Sequence, residues 1–232
     1  MKLADRSSAS APARPPARWA SLALALFLAG GTARSETPAG GIEPIPDAVW
    51  TRMAGRSWHA DLPCPARDKL RLVHVPYIDF KGERKTGELV VASVLAAEVL
   101  AIFEEIAADG SFRIERMELI DAYGGDDYVS IEANNTSAFN CRRTTGSKTM
   151  SAHAFGRAID INPLINPYVN KKGTSHQRSE AFDTPAERKA SKAAGLIQAN
   201  GIVIKAFSAR GWGWGGTWKS LKDYQHVAKD NR

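Results

Sequence analysis

Several devices that often mark function are scarce in this 232-residue chain. Its two cysteines, Cys64 and Cys141, allow at most one internal disulfide. Of five histidines, His59, His74 and His176 lack a partner at ligand spacing, and His176, set among Lys, Ser and Gln, is expected to be solvated. Neither sign of charge dominates, with 31 Lys and Arg against 25 Asp and Glu. No basic stripe with interleaved aromatics is present, which argues against a nucleic-acid partner. The apolar run from Trp19 to Gly31 falls short of the ~20 residues a membrane helix requires, and no other stretch comes nearer.

That run has the flanks of a secretion signal. Lys2, Arg6, Arg14 and Arg18 precede it, and Gly31-Thr-Ala33 puts small residues at the minus three and minus one positions of a signal peptidase site. Residues 1–33 are therefore expected to be a signal peptide cleaved after Ala33, with an uncleaved anchor as the alternative. Cleavage lowers the formal charge from +6 to a mild +3, since four bases and one acid leave. Such a surface is simply solvated, although it permits affinity for an anionic wall polymer. Residues 34–48, rich in Pro, Gly and Ala, are expected to be a linker, and residues 49–232 one domain. Outside the cytoplasm a Cys64–Cys141 bond can form. It would close a loop of ~77 residues and contribute about 4 kcal/mol on the chain-entropy model, the other state being two free thiols.

Coarse elements follow from periodicity. Leu70–Phe80 and Gly87–Ala92 are expected as strands, as are Arg113–Asp121 and Tyr128–Ala133. Val94, Leu95, Val99, Ile102, Phe103 and Ile106 recur at helical spacing, which predicts a helix over 93–108 lying across a sheet. Asn134–Gly146 is polar and is expected as a loop. Asn170–Thr184 is a hydrophilic excursion expected to line or cover a cleft, and Pro185–Ala194 and Ile202–Arg210 are helix candidates. Trp212 and Trp214, two apart among glycines, share one face of a strand. They either fill the core or offer a surface along which a peptide lies.

Two pieces carry chemistry: Ser151-Ala-His-Ala-Phe-Gly-Arg-Ala-Ile-Asp160 and Asp223-Tyr-Gln-His226. Two imidazoles and a carboxylate can hold a zinc ion and leave a fourth position open to water. On one straight strand His153 and Asp160 would lie roughly 23 Å apart on opposite faces, so the chain must bend, and Gly156 is the place. The expected arrangement is His153 in a turn, then a short strand 157–162 with Ile159 and Ile161 toward the core and Asp160 toward the metal. Asp223 and His226, three apart, reach one side from a turn or a single helical turn. His226 is the third ligand and Asp223 lies beside it. Arg142 or Arg143 could steady the charge that grows on a carbonyl oxygen during attack, or could make an ordinary surface ion pair.

The segments SAHAFGRAID and DYQH resemble the S-x-H-x-x-G-x-A-x-D and acid-x-x-H motifs of the zinc peptidases that cut bacterial peptidoglycan stem peptides, the D-alanyl-D-alanine carboxypeptidase and L-alanyl-D-glutamate peptidase group. Asn134–Arg142 and Gly211–Trp218 are similar to its extensin-like or VanY-like subgroup. The resemblance runs roughly from Pro46 to Val227. It implies an α+β fold of the hedgehog/DD-peptidase kind, a central antiparallel sheet with flanking helices. It also implies Zn2+ on His153, Asp160 and His226, Asp223 as general base and acid, and Arg142 as the oxyanion residue. Ser151 and Trp214 are expected near the substrate. His226 is followed by Val227 where the family often has an aromatic, which should alter packing and spare coordination.

The resemblance thus implies a secreted, periplasmic or envelope-located monomer that hydrolyses peptidoglycan peptides, with a noncatalytic wall-binding domain of the same fold as the alternative. Asp223 separates the two, because a binding domain has no use for a carboxylate beside the metal's open position. Whether the terminal D-Ala-D-Ala bond or the internal L-Ala-D-Glu bond is cut depends on cleft loops that the motifs do not specify.

Overall fold

The computed structural model describes residues 40–229; the expected signal peptide and the first part of the expected linker lie outside them. The remainder of that linker is structured: β1 (Gly41–Glu43) pairs antiparallel with a later strand, and α1 (Asp47–Met53) follows at once. Two long strands come next, β2 (Leu70–Ile78) and β3 (Arg84–Ala92), paired in antiparallel register from Leu70 opposite Ala92 to Ile78 opposite Arg84. A 3-10 turn leads into α2 (Ala96–Asp109). Its stripe Val99, Ile102, Phe103 and Ile106 is buried against Val73, Val75, Leu89 and Val91, as the spacing predicts.

The middle of the chain departs from expectation. Of residues 113–121 only β4 (Arg116–Met117) is strand. Tyr128–Ala133, expected as a strand from its Tyr, Val and Ile, belongs instead to α3 (Asp127–Glu132). Asp126 decides this locally, because its carboxylate accepts the backbone N–H groups of Tyr128 and Val129 at 2.8 and 3.3 Å and caps the helix. β5 (Asn135–Thr136) then pairs parallel with β4.

The remaining elements are β6 (Ala158–Asp160), β7 (Tyr168–Val169), α4 (Pro185–Ala190), α5 (Ile202–Ser208), β8 (Trp212–Trp214), β9 (Lys222–Asp223) and β10 (His226–Lys229). Strand order is β1-β2-β3 in one antiparallel sheet and β6-β10-β8 in another, with β7 and β9 as a separate pair. The class is α+β with antiparallel sheets, and the strands are shared among small sheets rather than gathered in one central sheet. One core joins them: Val203 and Phe207 of α5, Trp212, Ile159 and Val227 all pack with the α2 stripe. Glu98 of α2 ties the second sheet on, accepting from Trp212 Nε1 at 2.6 Å and from Lys229 Nζ at 2.8 Å. Among the described residues no helix is long and apolar enough to cross a membrane.

Candidate metal centre

The SAHAFGRAID stretch folds as its composition requires. Ser151 Oγ accepts the His153 N–H at 3.3 Å and opens a 3-10 turn over Ala152–Phe155. Gly156 ends that turn in a left-handed conformation, φ 63°, where its carbonyl receives the Ala92 N–H at 2.9 Å. A Cβ there would sit 2.5 Å from the Ala92 nitrogen, so only glycine lets the turn lie against the end of β3. The bend expected at Gly156 is present, and β6 carries Asp160 away from it.

His226 stands directly opposite Asp160 in the β6–β10 ladder. Residues so paired share one face of the sheet, while the next pair, Ile159 and Val227, points into the core. Of the two arrangements expected for Asp223 and His226, a turn or a single helical turn, the structure has the first. Asp223 ends β9, Tyr224 and Gln225 make a bend, and His226 begins β10.

The donor atoms converge. His153 Nε2 is 3.1 Å from His226 Nδ1 and 3.3 Å from Asp160 Oδ2, and His226 Nδ1 is 3.0 Å from Asp160 Oδ1. Ligand atoms about 2.0–2.1 Å from a tetrahedral zinc are separated by roughly 3.3 Å; the two imidazole nitrogens lie at close to that spacing, each nitrogen has one Asp160 oxygen at a similar distance, and one donor atom from each of the three residues lies within 4.8 Å of the others. His153 Nδ1 donates to the Ala138 carbonyl at 2.6 Å, which aims the lone pair of Nε2 at the cluster. No other group of three such donors among the described residues meets the same test.

Charge within the cluster is strongly coupled. Burial alone would lower the His153 pKa, but the Asp160 charge and hydrogen bond outweigh it and raise it above the usual histidine value. Asp160 is opposed by burial as well, yet its two imidazole neighbours hold it well below the usual carboxylate range. Asp223 behaves oppositely: burial first, and then repulsion from Asp160, push it up to about 7, with His226 and Arg142 pulling the other way. Its Oδ1 is buried without a hydrogen-bond partner among the described residues. Asp223 fits there because Gly215 has no side chain; a Cβ on Gly215 would meet the Asp223 Cβ at 2.8 Å.

Arg142 forms an ion pair with Asp127 at the start of α3, and its charge bears on both His153 and Asp223. Arg143 instead donates to the Lys148 carbonyl on its own exposed loop. Cys64 and Cys141 are joined in a disulfide, with Cα atoms 5.8 Å apart, immediately before Arg142. Trp212 is buried against Phe207, whereas the half-buried Trp214 donates from Nε1 to the Tyr224 carbonyl at 2.9 Å and so braces the bend between Asp223 and His226.

Two residues near or behind the site carried no signal in the sequence. Trp218 lies with its ring centroid 5.7 Å from that of His226. Its eight-residue separation from His226 has no periodic meaning. His176, expected to be solvated, is buried: it stacks on Tyr128 with centroids 4.1 Å apart and bonds to the Tyr128 carbonyl through Nε2 at 3.0 Å. It anchors the 170–184 excursion to α3.

Residues 145–229 match the model of a family described as D-alanyl-D-alanine carboxypeptidase, which bears out the resemblance to the VanY-like group. The matched stretch contains Ser151, His153, Asp160, Asp223 and His226, while Arg142 and both cysteines precede it. No curated protein and no solved structure matched the chain.

Proposed function

We propose that the chain, whose residues 145–229 match the D-alanyl-D-alanine carboxypeptidase family model, is a secreted zinc peptidase that hydrolyses peptide bonds in peptidoglycan stem peptides. The observation that carries this reading is the placement of Asp223. A buried carboxylate with an unpartnered oxygen and a pKa near 7 stands beside three donors at zinc spacing. A fold kept only for wall binding gains nothing from that burial.

His153 through Nε2, His226 through Nδ1 and Asp160 through a carboxylate oxygen would hold the metal. Zinc, when bound, supplies Lewis acidity toward the scissile carbonyl and toward water. Asp223 in its ionised form takes a proton from the water that attacks the carbonyl carbon. The same carboxyl then returns that proton to the departing amine as the C–N bond breaks. Burial and the Asp160 charge raise the Asp223 pKa while zinc would lower it, and the opposed effects keep both protonation states within reach of the two steps. Arg142, steadied by Asp127, offers N–H donors to the oxyanion that develops on the carbonyl. Ser151 fixes the His153 turn, and Trp214 fixes the Asp223–His226 bend.

Purified wall fragments incubated with the wild type and with Asp223→Ala, followed by mass spectrometry of the muropeptides, test the reading. Loss of one D-Ala, or a break between L-Ala and D-Glu, is expected with the wild type alone. Equal cleavage by the two proteins would remove Asp223 from catalysis, and no cleavage by either would leave wall binding as the function.

A further inference from the structure

The short helix α4 has one buried residue, and it is an arginine, Arg188. Its partners are all neutral. Nη1 donates to the Ile165 carbonyl at 3.2 Å and to that of Phe182 at 3.5 Å, while Nη2 donates to Asn166 Oδ1 at 3.0 Å and to the Ile197 carbonyl at 2.7 Å. The guanidinium also lies over the ring of Tyr224, 3.8 Å from its centroid. Burying a cation without a carboxylate costs more than an apolar side chain would in the same space, so its donors must do something that packing cannot.

Both arms of this arrangement end one residue from the site. Asn166, which accepts from Arg188, donates from Nδ2 to the Ile161 carbonyl at 3.2 Å and to the Gly195 carbonyl at 2.9 Å; Ile161 follows Asp160. Tyr224 follows Asp223, and its own N–H is held by the Pro167 carbonyl at 3.1 Å. Ile161 N–H meets the Gln225 carbonyl at 3.0 Å, one residue beyond Tyr224. We propose that Arg188 is a positioning residue: its planar fork clamps the chain leaving Asp160 to the ring of Tyr224, and so sets the distance between the ligand Asp160 and the base Asp223. The catalytic consequence rests on the function proposed above; the clamp itself does not.

The test uses the full chain with Arg188→Met, which keeps the bulk and loses the donors, and Arg188→Lys, which keeps the charge and loses the fork. In the metal-free proteins, amide hydrogen exchange at Ile161 and Tyr224 is expected to quicken about tenfold or more in Arg188→Met, with the β2–β3 ladder unchanged and Arg188→Lys intermediate. Zinc affinity, read by competition with a chromogenic chelator, should weaken about tenfold. The kcat should fall while KM stays within about twofold, since the clamp acts on positioning rather than on substrate contact. Exchange that rises equally everywhere, or wild-type exchange at these two amides, overturns the clamp. If Arg188→Met does not fold, the Lys variant carries the same comparison. Selective loosening in a protein whose wild type neither binds zinc nor cuts wall peptides would sink the proposed function and leave the clamp standing.

Discussion

Asp160 and His226 face each other across the β6–β10 ladder, with His226 Nδ1 3.0 Å from Asp160 Oδ1. The ladder register, rather than proximity in sequence, puts them on one face, and the core pair Ile159–Val227 beneath them resists a slip. Replacing His226 by Ala should therefore reduce bound zinc from one equivalent to none measurable and lower kcat/KM by about a thousandfold or more, with little change in fold. Metal analysis of dialysed protein checks it; a His226→Ala protein that retains stoichiometric zinc would falsify the ligand set.

Zinc binding must compete with the proton that Asp160 helps His153 to hold. The His153 pKa is raised, so the protonated form persists above the usual histidine range, and affinity should climb steeply with pH from about 6 to 8. Chelator competition at three pH values measures the slope. A flat profile means that His153 gives up no proton on binding.

The value near 7 belongs to the metal-free cleft, and a zinc cation beside Asp223 would pull it down, so kcat/KM of the zinc-loaded enzyme should rise with pH along an acid limb below 7, because the ionised carboxylate is the base. Zinc must be kept saturating so that this limb is not confused with metal loss. An acid limb that persists in the residual activity of Asp223→Asn would remove Asp223 from the role.

The same burial has a cost in stability. The folded pKa of Asp223 lies above its unfolded value, so the native state binds the proton more tightly and stability falls as pH rises through the interval from about 4 to about 7. Asp223→Asn should thus be inactive yet, in the metal-free state, more stable than wild type at pH 8 by up to about 4 kcal/mol, with the gain vanishing below pH 4. Urea unfolding at the two pH values decides; a variant that is less stable at pH 8 contradicts the burial argument.

Arg142 is held from two sides, by Asp127 and by the adjoining Cys64–Cys141 bond. Asp127→Ala should lower kcat about tenfold with metal content intact, because the guanidinium loses its orientation and zinc keeps its ligands. Reduction of the disulfide should destabilise the fold by roughly 4 kcal/mol on the chain-entropy model. Full activity of Asp127→Ala would assign Arg142 to the surface.

What the sequence alone determined was local shape and the residue types from which the proposed site is built. Gly156 announces the turn and the α2 stripe announces a helix across a sheet, because each of these is settled by neighbours within a few positions. Tertiary structure decided the rest. The run Tyr128–Ala133, expected as strand, is helical from Tyr128 to Glu132 under the local Asp126 cap, and it is the distant Arg142 that meets Asp127 there; Trp218 and Arg188 gained their places from chain segments far away in sequence. Local propensity is worth tenths of a kcal/mol per residue, and long-range pairing and burial outweigh it wherever the two disagree.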